Sequence, residues 1–226
     1  MRSDIAFVTG EEARVVVPDA TALPDPVATA VVMLRGRELE VNAGSPASLQ
    51  FFLSTTGSRL AAKVELRNGL VLRHGALGGR PATGRVYALT VGAHRLYGSC
   101  GARVGVADLA AWFARVAARP SPAGPSLRLG SGQAWARRMP SAVAQVVDLG
   151  ADRGFLLDVR AARPAKPGAA AGLEVEGGRL SRSAPQERDP YLVLDTERAL
   201  AYAIPRPGTP IDQVTEAMTR VRVIPR

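Results

Sequence analysis

Cysteine is almost absent: Cys100 stands alone in 226 residues. A single cysteine cannot close an intrachain disulfide, so no oxidising compartment is implied. Histidine occurs only at His74 and His94, so zinc sites of four cysteines, or of two cysteines and two histidines, lack their ligands. Lysine also occurs twice, and neither Lys63 nor Lys166 follows a glycine, which excludes a Gly-Lys-Ser/Thr phosphate loop. The glycine-rich strings at 75–79 and 130–132 complete no dinucleotide pattern; Trp135 stands where the third glycine of the second belongs. Long apolar runs are missing too. The longest, Val27 to Leu34, falls far short of the ~18 residues of a membrane span. Residues 1–10 carry Asp4 and no apolar core, unlike a signal peptide. A soluble, cytoplasmic protein without a metal or cofactor is expected.

What remains is the profile of a folded chain, 46% hydrophobic and 22% charged. At this length folding removes roughly 70% of the unfolded surface from water, so no covalent staple is required. The length fits one large domain or two small ones.

The chain repeats its pattern. Val106, Leu109, Phe113 and Val116 mark one face of a helix, and Ile211, Val214, Met218 and Val221 repeat it 105 residues on. The second helix has clear start signals in Thr209 as N-cap, Pro210 in the first turn and Asp212. Upstream, Val86–Val91 and His94–Tyr97 read as strands joined at Gly92-Ala93, and the same offset gives Tyr191–Leu194 and Ala199–Tyr202. Asn68-Gly69 between alternating segments specifies a type I′ hairpin, matched at an offset of 109 by Gly177-Gly178. Order and apolar spacing carry this duplication, since identity between the blocks is low. A single β-rich domain with two similar helices is the alternative.

The fold class expected is α+β, β-dominated, with two tandem antiparallel β units each closed by a C-terminal helix. The first spans 1–119 with its helix at 106–118. A Pro-rich linker follows at 120–126, and the second unit spans 127–226 with its helix at 210–221. Strands of the first unit fall at Thr29–Leu34, Arg37–Val41, Leu49–Ser54, Leu60–Arg67, Leu70–His74, Val86–Val91 and His94–Tyr97. The second includes Val143–Leu149 and Phe155–Arg160, with a flexible loop at 164–172. With Trp112 inside the helix Asp108-Leu-Ala-Ala-Trp-Phe, this plan resembles tandem pleckstrin-homology-like domains. The resemblance is architectural, spans roughly 29–224, and departs at Ala217, where the second copy has no tryptophan. It implies a non-catalytic docking module whose ligands are proteins or anionic lipid headgroups.

Charge is unevenly spread. Residues 1–60 carry 5 basic and 7 acidic side chains, 61–140 carry 12 and 2, and 141–226 carry 12 and 11. No acid lies between Leu66 and Ala107, a stretch holding Arg67, Arg73, Arg80, Arg85, Arg95 and Arg103 with Tyr87 and Tyr97 interleaved. Guanidinium forks match carboxylates and phosphates and stack on aromatic rings. The set reads as an anion- or partner-binding face, against the plainer reading of a solvated surface in an Arg-rich chain. Trp135 beside Arg137 and Arg138 is an interface candidate.

Catalytic sets are poorly formed. Gly98-Ser99-Cys100-Gly101 lies between a strand and a helix, with His94 as a candidate base and Arg103 as a candidate activator. Ala102 stands where a nucleophile elbow needs glycine. Asp148, Asp152 and Asp158 straddle a turn and need not converge. The expected function is therefore a non-enzymatic interaction or assembly protein, docking on an acidic protein surface or on further copies of itself. Nucleic acid or a phosphate ligand on the basic 61–140 face is the alternative, and a Cys100 thiol enzyme the second alternative.

Overall fold

Turn residues set where the chain reverses, in a computed structural model that describes residues 1–136, 141–161, 172–183 and 189–226. Two strands, β1 (Arg2–Ala6) and β2 (Glu12–Val16), open the chain, and β3 (Val27–Leu34) and β4 (Arg37–Gly44) follow. Arg35 (φ 50°) and Gly36 (φ 74°) join β3 to β4. Positive φ at both positions gives the backbone twist that antiparallel strands need.

Residues 49–54, expected as a strand, belong instead to helix α1 (Pro46–Thr55). Ser45 Oγ accepts the Ser48 N–H and Pro46 occupies the first turn, so the start signal outweighs the alternation of Leu49, Phe51 and Leu53. Four strands then run as a meander: β5 (Ala62–Glu65), β6 (Val71–Ala76), β7 (Arg85–Val91) and β8 (His94–Cys100). The β5–β6 turn is not type I′. Only Gly69 has positive φ (80°), its N–H donates to the Leu66 carbonyl, and Leu66 N–H donates to Leu70. This is a three-residue loop ending in a left-handed glycine. Asn68 is held by another task, its Nδ2 donating to the carbonyls of Phe113 (2.9 Å) and Val116 (3.0 Å).

Those carbonyls end helix α2 (Val106–Phe113), five residues earlier than expected. The chain continues as β9 (Ala117–Arg119), turns through residues 120–125, and returns as β10 (Ser126–Arg128). Backbone bonds between Ser121 and Gly124 close that turn. The Pro-rich stretch is thus a hairpin connection and not a linker between separate bodies. The remaining elements are β11 (Ala142–Gly150), β12 (Arg153–Ala161), β13 (Leu173–Val175), β14 (Gly178–Arg182), β15 (Leu192–Asp195), β16 (Ala199–Pro205), α3 (Ile211–Met218) and β17 (Arg222–Pro225). Thr209 does not cap α3; its Oγ1 accepts the Gly154 N–H at 3.0 Å. Most of the expected 164–172 loop lies outside the described residues.

The chain is β-dominated with three helices among the described residues, and it divides into two compact units. The middle unit holds Ala6–Gly10 and Val27–Ser141, and the outer unit holds Met1–Ile5, Glu11–Pro26 and Ala142–Arg226. In the middle unit the strand order is β3-β4-β8-β7-β6-β5, and in the outer unit it is β11-β12-β16-β15-β14-β13. The orders are the same, element for element. Registers agree as well: Asn42 faces Tyr97 across β4 and β8, and Asp158 faces Tyr202 across β12 and β16. Helices α2 and α3, like strands β8 and β16, are offset by 105 residues. The β11–β12 turn repeats the β3–β4 geometry, with Ala151 (φ 51°) and Asp152 (φ 58°).

Each core begins from one cross-strand row. Ala43, Leu96, Leu89 and Leu72 stand side by side in the middle unit, as do Val159, Ala201, Leu194 and Leu180 in the outer, and all eight are buried. Neither helix closes its unit, because a strand follows each. Here the units trade sequence. The outer unit pairs β17 with β2, from the start of the chain, whereas the middle unit pairs β9 with β10. Arg222 faces Val16 as Ala117 faces Arg128, so the two ladders share one register.

Each unit thus contains strands from both sides of the 120–125 turn. A protease site inserted at 121–124 and cut under native conditions should leave two pieces that co-elute on size exclusion. Separation into two independently folded pieces would contradict this composition.

Candidate functional site

The structure distributes the basic stretch over several surfaces. Arg73 and Arg95 lie on one face of the middle sheet, since Arg73 faces Ala88 and Ala88 faces Tyr97 two residues from Arg95. Arg85 faces Cys100 on the other side of the sheet and donates to the Val104 carbonyl at 3.2 Å. Arg67 sits in the β5–β6 loop, Arg80 after a single 3₁₀ turn at 77–79, and Arg103 before α2, all three exposed. The six do not form one continuous face. Tyr87 and Tyr97 are not stacking platforms either. Tyr87 is 0% exposed, packs on Phe113 at 5.4 Å between ring centres, and donates to the Glu40 carbonyl. Tyr97 is covered by Phe52 of α1 at 5.3 Å. Burial drives the Tyr97 phenol up to about 12, and raises Tyr87 well above its usual range.

What the fold does assemble is a groove beside the edge strand. Strand β5 ends the sheet order, with β6 on one side and, among the described residues, no strand on the other. Because Leu66 N–H is bonded to Leu70, alternation turns the amide and carbonyl of Lys63 and Glu65 to the open side. Val64, Glu65, Leu66 and Arg67 form one wall, and Ala110, Ala111, Ala114 and Arg115 of α2 and its end form the other. The groove encloses about 660 Å³. Three alanines leave the helix wall low, and two guanidiniums flank it. Neither Arg67 nor Arg115 makes an ion pair among the described residues.

The outer unit lacks this arrangement at corresponding positions. Glu176 stands for Arg67 and is paired with Arg222 at 3.2 Å. Thr215, Glu216 and Thr219 stand for the alanines, and Arg220 is paired with Asp19 at 2.8 Å. Charges that stay open in the middle unit are neutralised internally in the outer one.

Trp135 lines a different cavity, of about 510 Å³, in company the sequence reading did not anticipate. Arg119 and Arg128 share its lining, with Thr9, Ser126 and Gln133. Arg137 and Arg138 lie outside the described residues.

No catalytic set converges at the expected positions. His94 and Cys100 occupy opposite ends of β8, about 20 Å apart along a strand of this length. Burial raises the Cys100 thiol despite the opposing pull of Arg85, which stands across from it where Arg103 was expected. Asp148 accepts from Gly150 N–H at 2.7 Å, Asp158 is held by Arg160 at 2.7 Å, and Asp152 sits in the turn. These three carboxylates serve three separate local structures. Among the described residues no three His, Cys, Asp or Glu side chains gather as metal ligands, and no helix is long and apolar enough to cross a membrane. Compared with known proteins, the chain matches no family model, no curated protein and no solved structure.

A buried thiol held in its protonated form reacts slowly. Iodoacetamide at pH 8 should label Cys100 in the folded chain at least about tenfold more slowly than in the urea-unfolded chain. Equal rates would contradict the burial and the raised thiol.

Proposed function

We propose that this chain is a non-enzymatic docking protein whose middle unit takes an extended, acidic segment of a partner protein along the open edge of β5. The observation that carries this reading is the groove itself: a strand edge unpaired among the described residues, an alanine-lined helix face opposite, and Arg67 and Arg115 without ion pairs among those residues. A strand added to a sheet edge gains affinity from main-chain hydrogen bonds and specificity from flanking side chains. Here Lys63 and Glu65 offer the main-chain groups, Ala110, Ala111 and Ala114 admit small side chains, and the two arginines receive carboxylates. Glu65 on the same wall disfavours carboxylates at its own position, which sets a register for the peptide.

The shared strand order and ladder registers support an internal duplication, in which the outer unit keeps its helix face closed by ion pairs and the middle unit leaves it open. Nucleic acid is the weaker reading. Its basic face is divided between two sides of the sheet, and its two tyrosines are buried, whereas single-strand binders stack bases on exposed aromatics.

Fluorescence anisotropy with a labelled peptide alternating valine and glutamate tests the reading. Arg67→Glu and Arg115→Glu should each weaken binding tenfold or more, about 1.4 kcal/mol, with the wild-type affinity falling as salt rises. Glu65→Pro is the sharper variant. It removes an outward N–H that the β5–β6 ladder does not use, so the fold survives while binding is lost, even though a repelling carboxylate has gone. Unchanged affinity in all three variants would overturn the proposal.

A further inference from the structure

We infer that the cavity lined by Trp135 binds a small planar aromatic anion, of the nucleoside monophosphate kind. The inference is independent of the β5 groove and rests on different residues. The β9–β10 ladder pairs Ser126 with Arg119 and Arg128 with Ala117. Side chains opposite one another share a face, so Arg119, Ser126 and Arg128 project together, whereas Leu127 turns to the other side and is buried. Arg119 and Arg128 are diagonal neighbours across the ladder, within reach of one tetrahedral anion. Among the described residues no carboxylate lines the cavity, and neither arginine has an ion pair.

The aromatic wall is set in advance. Trp135 bridges to Val32, with Met33 N–H donating to Ala134 (2.9 Å) and Ala136 N–H donating to Val31 (2.8 Å). Gln133 is fixed at both ends, accepting from Gly130 N–H at 2.7 Å and donating to the Trp112 carbonyl at 2.9 Å. The indole is half-buried and lines the cavity. A volume of about 510 Å³ lies in the range of small-molecule sites. A ring against the indole and a phosphate between two guanidiniums use the aromatic and the cationic parts of this lining. The corresponding ladder of the outer unit has Ile224, Arg14 and Val16 at these positions, and there Arg14 is held by Asp4 at 2.7 Å. The arginine pair belongs to the middle unit only.

Calorimetric titration of the full chain with adenosine 5′-monophosphate, inorganic phosphate and adenosine tests this. The monophosphate should bind saturably, at least tenfold tighter than either phosphate or adenosine alone. Arg119→Ala and Arg128→Ala should each weaken it tenfold or more at an unchanged thermal midpoint. Trp135→Leu should bring the monophosphate down to the affinity of phosphate. Binding no tighter than phosphate, wild-type affinity in both arginine variants, or binding of an oligothymidylate without the monophosphate would each overturn the inference.

Discussion

Helices α2 and α3 are each followed by a strand that must find an antiparallel partner, and the choice of partner organises everything else. Strand β17 pairs with β2, more than two hundred residues away, whereas β9 pairs with β10 across a six-residue connection. Both ladders run in one register, so equivalent strands satisfy equivalent backbone groups while drawing on different parts of the chain. Unpaired strand edges are costly when buried, and pairing removes that cost wherever the second strand comes from. The result is that residues 27–141 together with 6–10 form one unit, and residues 1–5, 11–26 and 142–226 combine into the other.

Common architecture makes the differences between the units informative. At the strand edge beside the helix, the outer unit carries Glu176 with Arg222 and Arg220 with Asp19, pairs that neutralise one another. The middle unit carries Arg67, Arg115 and three alanines at matching places, and those two arginines have no ion pair among the described residues. The same contrast recurs at the ladder after the helix, where Arg119 and Arg128 replace Ile224 and Val16. Surface ion pairs contribute little to stability, so leaving these arginines unpaired costs the fold little. Partly exposed guanidiniums over small or aromatic side chains are, by contrast, well suited to recognising carboxylate or phosphate. Two surfaces of the middle unit differ from their counterparts in the outer unit in the same chemical direction.

Much of this was legible in the residues, and the losses have physical causes. Period-2 alternation and short turns located β3, β4, β7, β8, β11 and β12, and helical spacing at Leu109 and Val214 revealed the 105-residue offset. Helix α1 was missed because three alternating apolar residues imitate a strand while Ser45 and Pro46 carry the start signal. The turn at Asn68 was mistyped because its side chain serves the carbonyls of α2, forty-five residues away. Strands β9 and β17 are too short to show a period, and the exchange of β2 for β10 depends on pairings no local pattern encodes. Clustering of arginines along the chain suggested one basic face. Strand alternation divides that cluster, and the residues that complete each site, Arg115 and the Arg119–Arg128 pair, come from outside the acid-free stretch.

A partner segment added to the sheet along β5 would bond to the outward amides of that strand, and amide exchange reads that event directly. Hydrogen–deuterium exchange resolved by residue should show the Lys63 and Glu65 amides slowed tenfold or more by the acidic peptide. Val64 and Leu66, already bonded to β6, should change little. Slowing confined to other elements, or no change at Lys63 and Glu65 in a peptide-saturated sample, would contradict the account.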